Sequence, residues 1–340
     1  MRPLLLTLDA FNTLFHPRTP IPAQYAAAAA NHNIHVSSSS LQPAFRSACK
    51  SLSASHPNYG RDLALRGEHA GPRQWWADVI RVSFSRALAD SHSNPNSSLN
   101  RSPDKGAGAE IPDALVEDLL ERFASARGYN LYEDVGPFFE HIRQARFGER
   151  EKRKVVIGVV SNSDDRISSV LESLGVSVHD ARAGEEKAET NDILPGFEEE
   201  REKEKAQSAR SRSRSRSHLN TRDRSSPLHG RDRDQEQKDI DFVLTSYQVG
   251  AEKPDPLIWD VALQTARRLR SETDVGGDAD GPEGWERIHV GDDFGKDYCG
   301  ATDAGWKAYY LARDAHAAAE VPEGTRTITS LMDILRGLEK

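Results

Sequence analysis

The chain has 340 residues with 45 basic and 53 acidic side chains, a net charge of -8 that gives no general case for nucleic-acid or membrane binding. Hydrophobic residues make up 37% of it, enough for the core of one large domain or two ordinary ones. Its two cysteines, Cys49 and Cys299, exclude a disulfide framework and a cysteine-based metal site, and a reducing compartment is expected.

An apolar run at residues 4–8 lies between Pro3 and Asp9. It is too short for a secretory signal, and no later stretch is long enough to span a bilayer. The expected location is therefore intracellular, in cytoplasm or nucleus, away from membranes. Such a run reads as a strand buried in a parallel sheet. From about residue 20 to 139 the pattern is helical with no convincing strand; helices are expected at 23–30, 41–54, 74–87 and 115–126. Further apolar runs follow at 155–160, 242–245, 288–290 and 306–311, with helical patterns at 164–174, 256–269 and 298–304. Gly175 and Gly305 close the first and last of these helices, and Pro256 opens the middle one. Strands alternating with helices predict an α/β fold, a Rossmann-like doubly wound parallel sheet. The expected bounds are 1–15 and 140–340 for the sheet domain and 16–139 for an inserted helical domain.

Two segments, 91–109 and 184–238, lack the periodicity to bury a face and read as disordered insertions. The second holds an Arg-Ser alternation at 209–217. Repeated arginines attract phosphate, so this tract can bind RNA or be phosphorylated. A loop that leaves the sheet intact is the plainer expectation.

Four places carry polar residues just after an apolar strand. They are Asp9, then Ser161-Asn162, then Lys253-Pro254, then Gly291-Asp292 with Asp297. In a parallel sheet the carboxyl ends of the strands share one edge, where ligands bind, so the four are expected to converge. Their chemistry is complementary. A carboxylate nucleophile splits one hard step into two. A transferring phosphoryl group needs positive charge, from Lys253 and a metal, and small donors such as Ser161 and the amides after it. Mg2+ takes oxygen ligands, which Asp9, Asp292 and Asp297 can offer.

With these residues in place, the chain resembles the haloacid dehalogenase-like hydrolase superfamily across nearly all of the sheet domain. Leu8-Asp9-Ala10-Phe11-Asn12-Thr13-Leu14 looks like its first motif, and the other three sites look like its second, third and fourth. The helical block sits where the superfamily's helical cap belongs. Within it, His56-Pro57-Asn58-Tyr59-Gly60 and Arg73-Gln74-Trp75-Trp76 resemble the rhythmically expressed gene 2-like group. The resemblance implies that Asp9 attacks phosphorus and that Thr13 places the loop. It implies that Ser161, Asn162 and Lys253 hold the phosphoryl oxygens, and that Asn58 and Tyr59 reach the substrate from the cap. Mg2+ would be held by Asp9, the Phe11 carbonyl and Asp292. Asp297 would support the metal from behind, with Asp293 a competitor for that role. The implied partner is a small phosphorylated metabolite, and a monomer is expected.

One position departs from the family pattern. Its phosphatases carry an aspartate two residues after the nucleophile, which protonates the leaving group and activates water; here Phe11 stands there. General acid–base catalysis is typically worth about 10²–10⁴-fold, so hydrolysis limited to good leaving groups is expected. Two other readings follow from Phe11. The superfamily's 2-haloacid dehalogenases carry an aromatic residue there and use no metal, which leaves Asp292 and Asp297 without a purpose. A non-catalytic member would bind a phosphorylated ligand or a protein.

The remaining conspicuous residues have ordinary explanations. Trp75-Trp76 is expected as core packing ahead of pocket lining. His56 and His289 read as structural because no His/Cys cluster accompanies them. Asp164 and Asp165 read as caps of the next helix.

Overall fold

Every side chain of Leu4–Leu8, the strand β1, is buried, because the strand lies in the middle of a sheet. The structure is a computed structural model that describes residues 2–92, 111–147, 154–179, 238–273, 284–314 and 321–338. Of the expected disordered insertions 91–109 and 184–238, residues 93–109 and 184–237, with the Arg-Ser tract, lie outside the described residues, while Ser91 and His92 are helical.

Chain order through the sheet domain runs from β1 to β4 (Val155–Ser161), β5 (Phe242–Thr245), β6 (Glu286–Gly291), β7 (Lys307–Leu311) and β8 (Thr327–Ile328). In space the order is β5-β4-β1-β6-β7-β8, and every neighbouring pair is parallel. Side chains alternate between the two faces of a strand. Leu4, Leu6 and Leu8 join one apolar cluster with Ile157, Val159, Ile288 and Val290, under α6 (Val135–Phe147) and α7 (Arg166–Ser173). The opposite face of β1 therefore carries Leu5, Thr7 and the position of Asp9. There Thr7 is the register partner of His289, and Trp259 of helix Pro256–Thr273 packs edge-on against the His289 ring, centroids 4.7 Å apart.

The block between β1 and β4 consists mainly of helices: α1 (Ile21–Asn31), α2 (Ser38–Ser55), α3 (Pro57–Leu65), α4 (Pro72–His92) and α5 (Asp113–Arg122). Ser37 caps α2 by accepting the Ser40 amide at 3.0 Å. Its apolar stripe, Leu41, Ala44 and Ala48, is buried. Ala48 packs with Trp75 and Val79 of α4, while Ile80, Phe84 and Ala87 of α4 join the main core.

The structure corrects three local expectations. The stretch read as free of strands contains β3 (Tyr129–Leu131), which pairs antiparallel with β2 (Phe15–Pro17); three residues are too few to show a period. The helix expected at 298–304 is a π-helical turn, Phe294–Cys299, followed by Gly300–Asp303. The helix α3, not anticipated, begins with Asn58, Tyr59 and Gly60 all in the left-handed region, at φ 46°, 59° and 74°. Among the described residues, no helix is long and apolar enough to cross a membrane.

Candidate functional site

The parallel pairing of β4, β1 and β6 brings their carboxyl ends to one edge of the sheet. Asp9 follows β1, and its amide is held by Val290 of β6 at 2.9 Å. The chain then turns sharply. Asn12 takes a left-handed conformation, φ 59°, which asparagine tolerates better than most residues. Its amide bonds the Phe15 carbonyl at 2.7 Å and that of Leu14 bonds Ala10 at 2.8 Å. This turn aims Thr13 at Asp292, with its hydroxyl 3.4 Å from Oδ1.

Lys253 is the centre of the charge arrangement. Its ammonium lies 2.5 Å from Asp9 Oδ1, 2.6 Å from Asp297 Oδ1 and 2.8 Å from the Val160 carbonyl. All three donor positions of the ammonium are therefore used. The backbone of Lys253 is clamped by Asn162, whose amide oxygen accepts its N–H at 2.6 Å and whose amide nitrogen donates to its carbonyl at 2.9 Å. Asn162 thus fixes where the ammonium points.

Asp297 is spent on supporting its neighbours. Oδ1 also accepts from His289 Nε2 at 3.1 Å, and Oδ2 accepts the Asp293 amide at 3.0 Å. An ionised carboxylate only accepts, so His289 carries its proton on Nε2, and Thr7 donates to Nδ1 at 2.9 Å. Gly291 makes room for this arrangement, because a Cβ built there would overlap the Asp297 carboxyl. Asp293 instead accepts the Lys296 amide at 2.9 Å and pairs with its ammonium at 3.1 Å. It caps the π-helical turn.

Electrostatics follow from burial. Burial pushes the Asp9 carboxyl up to about 7 against the pull of Lys253. Burial, with the charge of Asp297, pushes Asp292 up to about 6. For Asp297 burial acts the same way, but Lys253 and His289 outweigh it and hold the group below the usual carboxylate range. Burial disfavours the charge on Lys253, but Asp297 and Asp9 outweigh it and keep the ammonium protonated. Burial also lowers His289, which favours the neutral ring.

These carboxylates fit a hard divalent cation. Asp9, Asp292 and Asp297 each offer an oxygen within 4.8 Å of the others. Oxygen donors suit Mg2+.

Beside this centre lies a cavity of about 330 Å³, lined by Phe11, Ser161, Asn162 and Tyr59 among others. Tyr59 donates to the Asn162 carbonyl at 3.3 Å, so it does reach the strand ends from the helical block. Asn58 does not line the cavity. Its amide bonds Ser246 at both ends, donating to the carbonyl at 2.8 Å and accepting the hydroxyl at 3.0 Å. Its contact fastens the helical block to the segment after β5. The pair Trp75-Trp76 divides: Trp75 is core, while Trp76 lines the cavity and donates to Asp164 Oδ2 at 2.7 Å.

Three participants were not singled out from the sequence as parts of the site. His289 carried a visible signal, a histidine inside the apolar Ile288–Val290 run. Arg166 grips Asp164 through two bonds of 2.8 Å and lies over the Trp76 ring, 4.4 Å from its centroid. Arg313 grips both oxygens of Asp134 at 2.8 Å and donates to the Thr13 carbonyl of the turn after Asp9. Asp164 is two residues from Arg166, but nothing local in the sequence links Arg166 to Trp76 or Arg313 to Asp134.

No protein-family model matches the chain. Over 306 residues it is 25% identical to an uncharacterised hydrolase of Schizosaccharomyces pombe, spanning 90% of this chain and 89% of the relative. Over 308 residues it is 26% identical to haloacid dehalogenase-like hydrolase domain-containing protein 3 of Bos taurus, spanning 91% and 81%. A solved defluorinating L-2-haloacid dehalogenase shares the fold, with TM-score 0.51, 14% identity and coverage of 99% and 96%.

Proposed function

Because this chain belongs to the haloacid dehalogenase-like hydrolase superfamily, we propose that it is a Mg2+-dependent phosphohydrolase acting on small phosphomonoesters with good leaving groups. The observation that carries this reading is the meeting of Asp9, Lys253, Asp292 and Asp297 at one sheet edge, from four separate stretches of chain.

In the first step an Asp9 carboxylate oxygen bonds to phosphorus as the bond from phosphorus to the leaving oxygen breaks. The electron pair departs with that oxygen. Lys253 balances charge on the phosphoryl oxygens, with Ser161 and the amides after it as further donors. In the second step water attacks phosphorus, the bond from phosphorus to the Asp9 oxygen breaks, and phosphate leaves carrying the protons of the water, with the carboxylate restored. Mg2+, held by Asp9, Asp292 and the Phe11 carbonyl, would neutralise charge on the phosphoryl group and keep Asp9 ionised. Asp297 acts by holding Lys253. Phe11 has no proton to give, so the leaving group must be stable as its anion.

The half-buried Phe11 side chain in the cavity wall is the specific observation that keeps a metal-independent 2-haloacid dehalogenase in the comparison, since a departing halide needs no proton. The test is turnover of an aryl phosphate by the full chain with and without Mg2+, beside Asp9→Asn, and halide release from a 2-haloacid. Metal-dependent phosphate release that Asp9→Asn abolishes supports the proposal. Halide release without metal replaces it with the second reading. No turnover of either substrate leaves a non-catalytic binding protein. A readout independent of turnover is the thermal midpoint. Mg2+ should raise it by mass action, and should not in Asp292→Asn.

A further inference from the structure

The organic half of the substrate can be read from the cavity beside Phe11. Besides Phe11, its walls include Phe15, Phe45, Phe123 and Ile80, with the Trp76 ring and the guanidinium over it on another side. Its lining also includes Ser161 and Asn162, the strand-end residues of the proposed phosphoryl site. Resting on the phosphohydrolase reading, we propose that the substrate is an aryl phosphate, a flat apolar ring bearing one phosphoryl group, seated between Phe11 and the Trp76–Arg166 stack.

Two independent observations select this class. The first concerns hydrogen bonds. The polar groups of the wall are largely engaged with one another. Tyr59 donates to Asn162 at 3.3 Å. Asp164 accepts from Trp76 at 2.7 Å and from Arg166 at 2.8 Å. A sugar entering here would bury several hydroxyls without partners, which is costly, whereas an apolar ring loses nothing. The Ser163 hydroxyl is buried and has no partner, so it can serve one polar substituent on the ring. The second observation is chemical. With Phe11 in place of an acid, the leaving oxygen departs unprotonated. A phenol, with a pKa of about 10, is stable enough as an anion to do so, and an aliphatic alcohol is not. The same residue therefore shapes the binding wall and restricts the leaving group, and both effects point to an aromatic alcohol.

A large aromatic ring also suits the walls electrostatically. Tyr25 stacks on Phe84 at 5.9 Å and meets Phe45 edge-on at 5.4 Å. Phe11 meets Phe15 and Tyr129 edge-on at 6.0 and 6.1 Å. An inserted ring would continue this edge-and-face arrangement.

The experiment measures binding and needs no catalysis. The full chain is titrated by calorimetry, in Mg2+, with phenylphosphonate, methylphosphonate and a ribose phosphonate. Phenylphosphonate should bind at least about tenfold more tightly than either of the others, a factor consistent with burying one ring. Cys49, which lines the cavity, supplies a second measurement. Phenylphosphonate should slow its alkylation in the unaltered protein and leave that of Cys299 unchanged. Cys49→Trp, which fills the space, should abolish the aromatic preference. Equal affinity for the three ligands, or tighter binding of the ribose compound, overturns the proposal. The two readings can fail separately. Tight, cavity-directed phenylphosphonate binding without any phosphate release from phenyl phosphate would retain the aryl preference and reject hydrolysis. Hydrolysis without aryl preference would do the reverse.

Discussion

Trp76 of α4 donates its indole N–H to Asp164 Oδ2 at 2.7 Å and thereby ties the helical block to the loop after β4. The same carboxylate holds Arg166. Burial alone would raise the Asp164 carboxyl, but the Arg166 charge and the hydrogen bonds from Arg166 and Trp76 hold it below the usual carboxylate range. The folded state therefore binds fewer protons at this group than the unfolded state. Its contribution is fully present above the unfolded value and is lost as pH falls through the folded one. At neutral pH Asp164→Asn should melt well below the parent, and below about pH 4 the gap should narrow. Melting curves across that range check this; a gap independent of pH would remove the argument.

Lys253 compensates two buried carboxylates at once. Lys253→Met leaves both without a counter-charge and should cost about 3–5 kcal/mol of stability. Asp9→Asn keeps the Lys253–Asp297 pair and should cost clearly less. Urea midpoints of the two variants decide it; equal losses would mean that Asp9, not Asp297, is the principal partner.

Gly291 is a matter of space. Gly291→Ala pushes on the Asp297 carboxyl, which in turn positions Lys253 and His289. A displacement near 1 Å can cost about 10²-fold in rate, so kcat/KM on an aryl phosphate should fall by that order while circular dichroism stays unchanged.

Phe11→Asp restores a proton donor and acceptor beside Asp9. It should raise turnover of alkyl phosphates by about 10²–10⁴-fold and aryl turnover much less, because phenolates need little help in leaving. The ratio of the two gains is the quantity to measure. Equal gains would mean that protonation of the leaving group was never limiting.

Arg313 holds the nucleophile loop through the Thr13 carbonyl while gripping Asp134, which also accepts Ser330 and the Leu331 amide. Lysine cannot reproduce a planar fork with a further donor. Arg313→Lys should therefore lower kcat by about tenfold with little change in KM, the signature of a positioning residue.

The parts legible in the sequence are those where one physical demand acts on several consecutive residues. Strands buried on both faces must be apolar throughout, so β1, β4, β5, β6 and β7 stood out within one or two residues of their ends. Polar residues directly after such runs, Asp9 and Lys253 among them, could then be placed at a common edge. The strands β2, β3 and β8 have two or three residues each and no room for a pattern. The left-handed run at Asn58, Tyr59 and Gly60 is enforced by tertiary contacts, including the Asn58–Ser246 clasp. Arg166 and Arg313 are ordinary arginines until the fold supplies Trp76 and Asp134. His289 was visible as a polar residue in an apolar strand, but its value depends on Asp297 and Thr7 arriving beside it.

The central place of β1 has a consequence for biogenesis. Its two neighbours begin pairing at Val155 and Glu286, so both of its edges wait for chain that is made much later. At about 5–20 residues per second, β6 leaves the ribosome on the order of tens of seconds after β1. Through that interval a strand of four leucines and one threonine carries open edges, which favours slow, non-local folding and exposure to aggregation. Asp9 emerges with β1, and the strand ends that surround it are complete only once β6 has emerged.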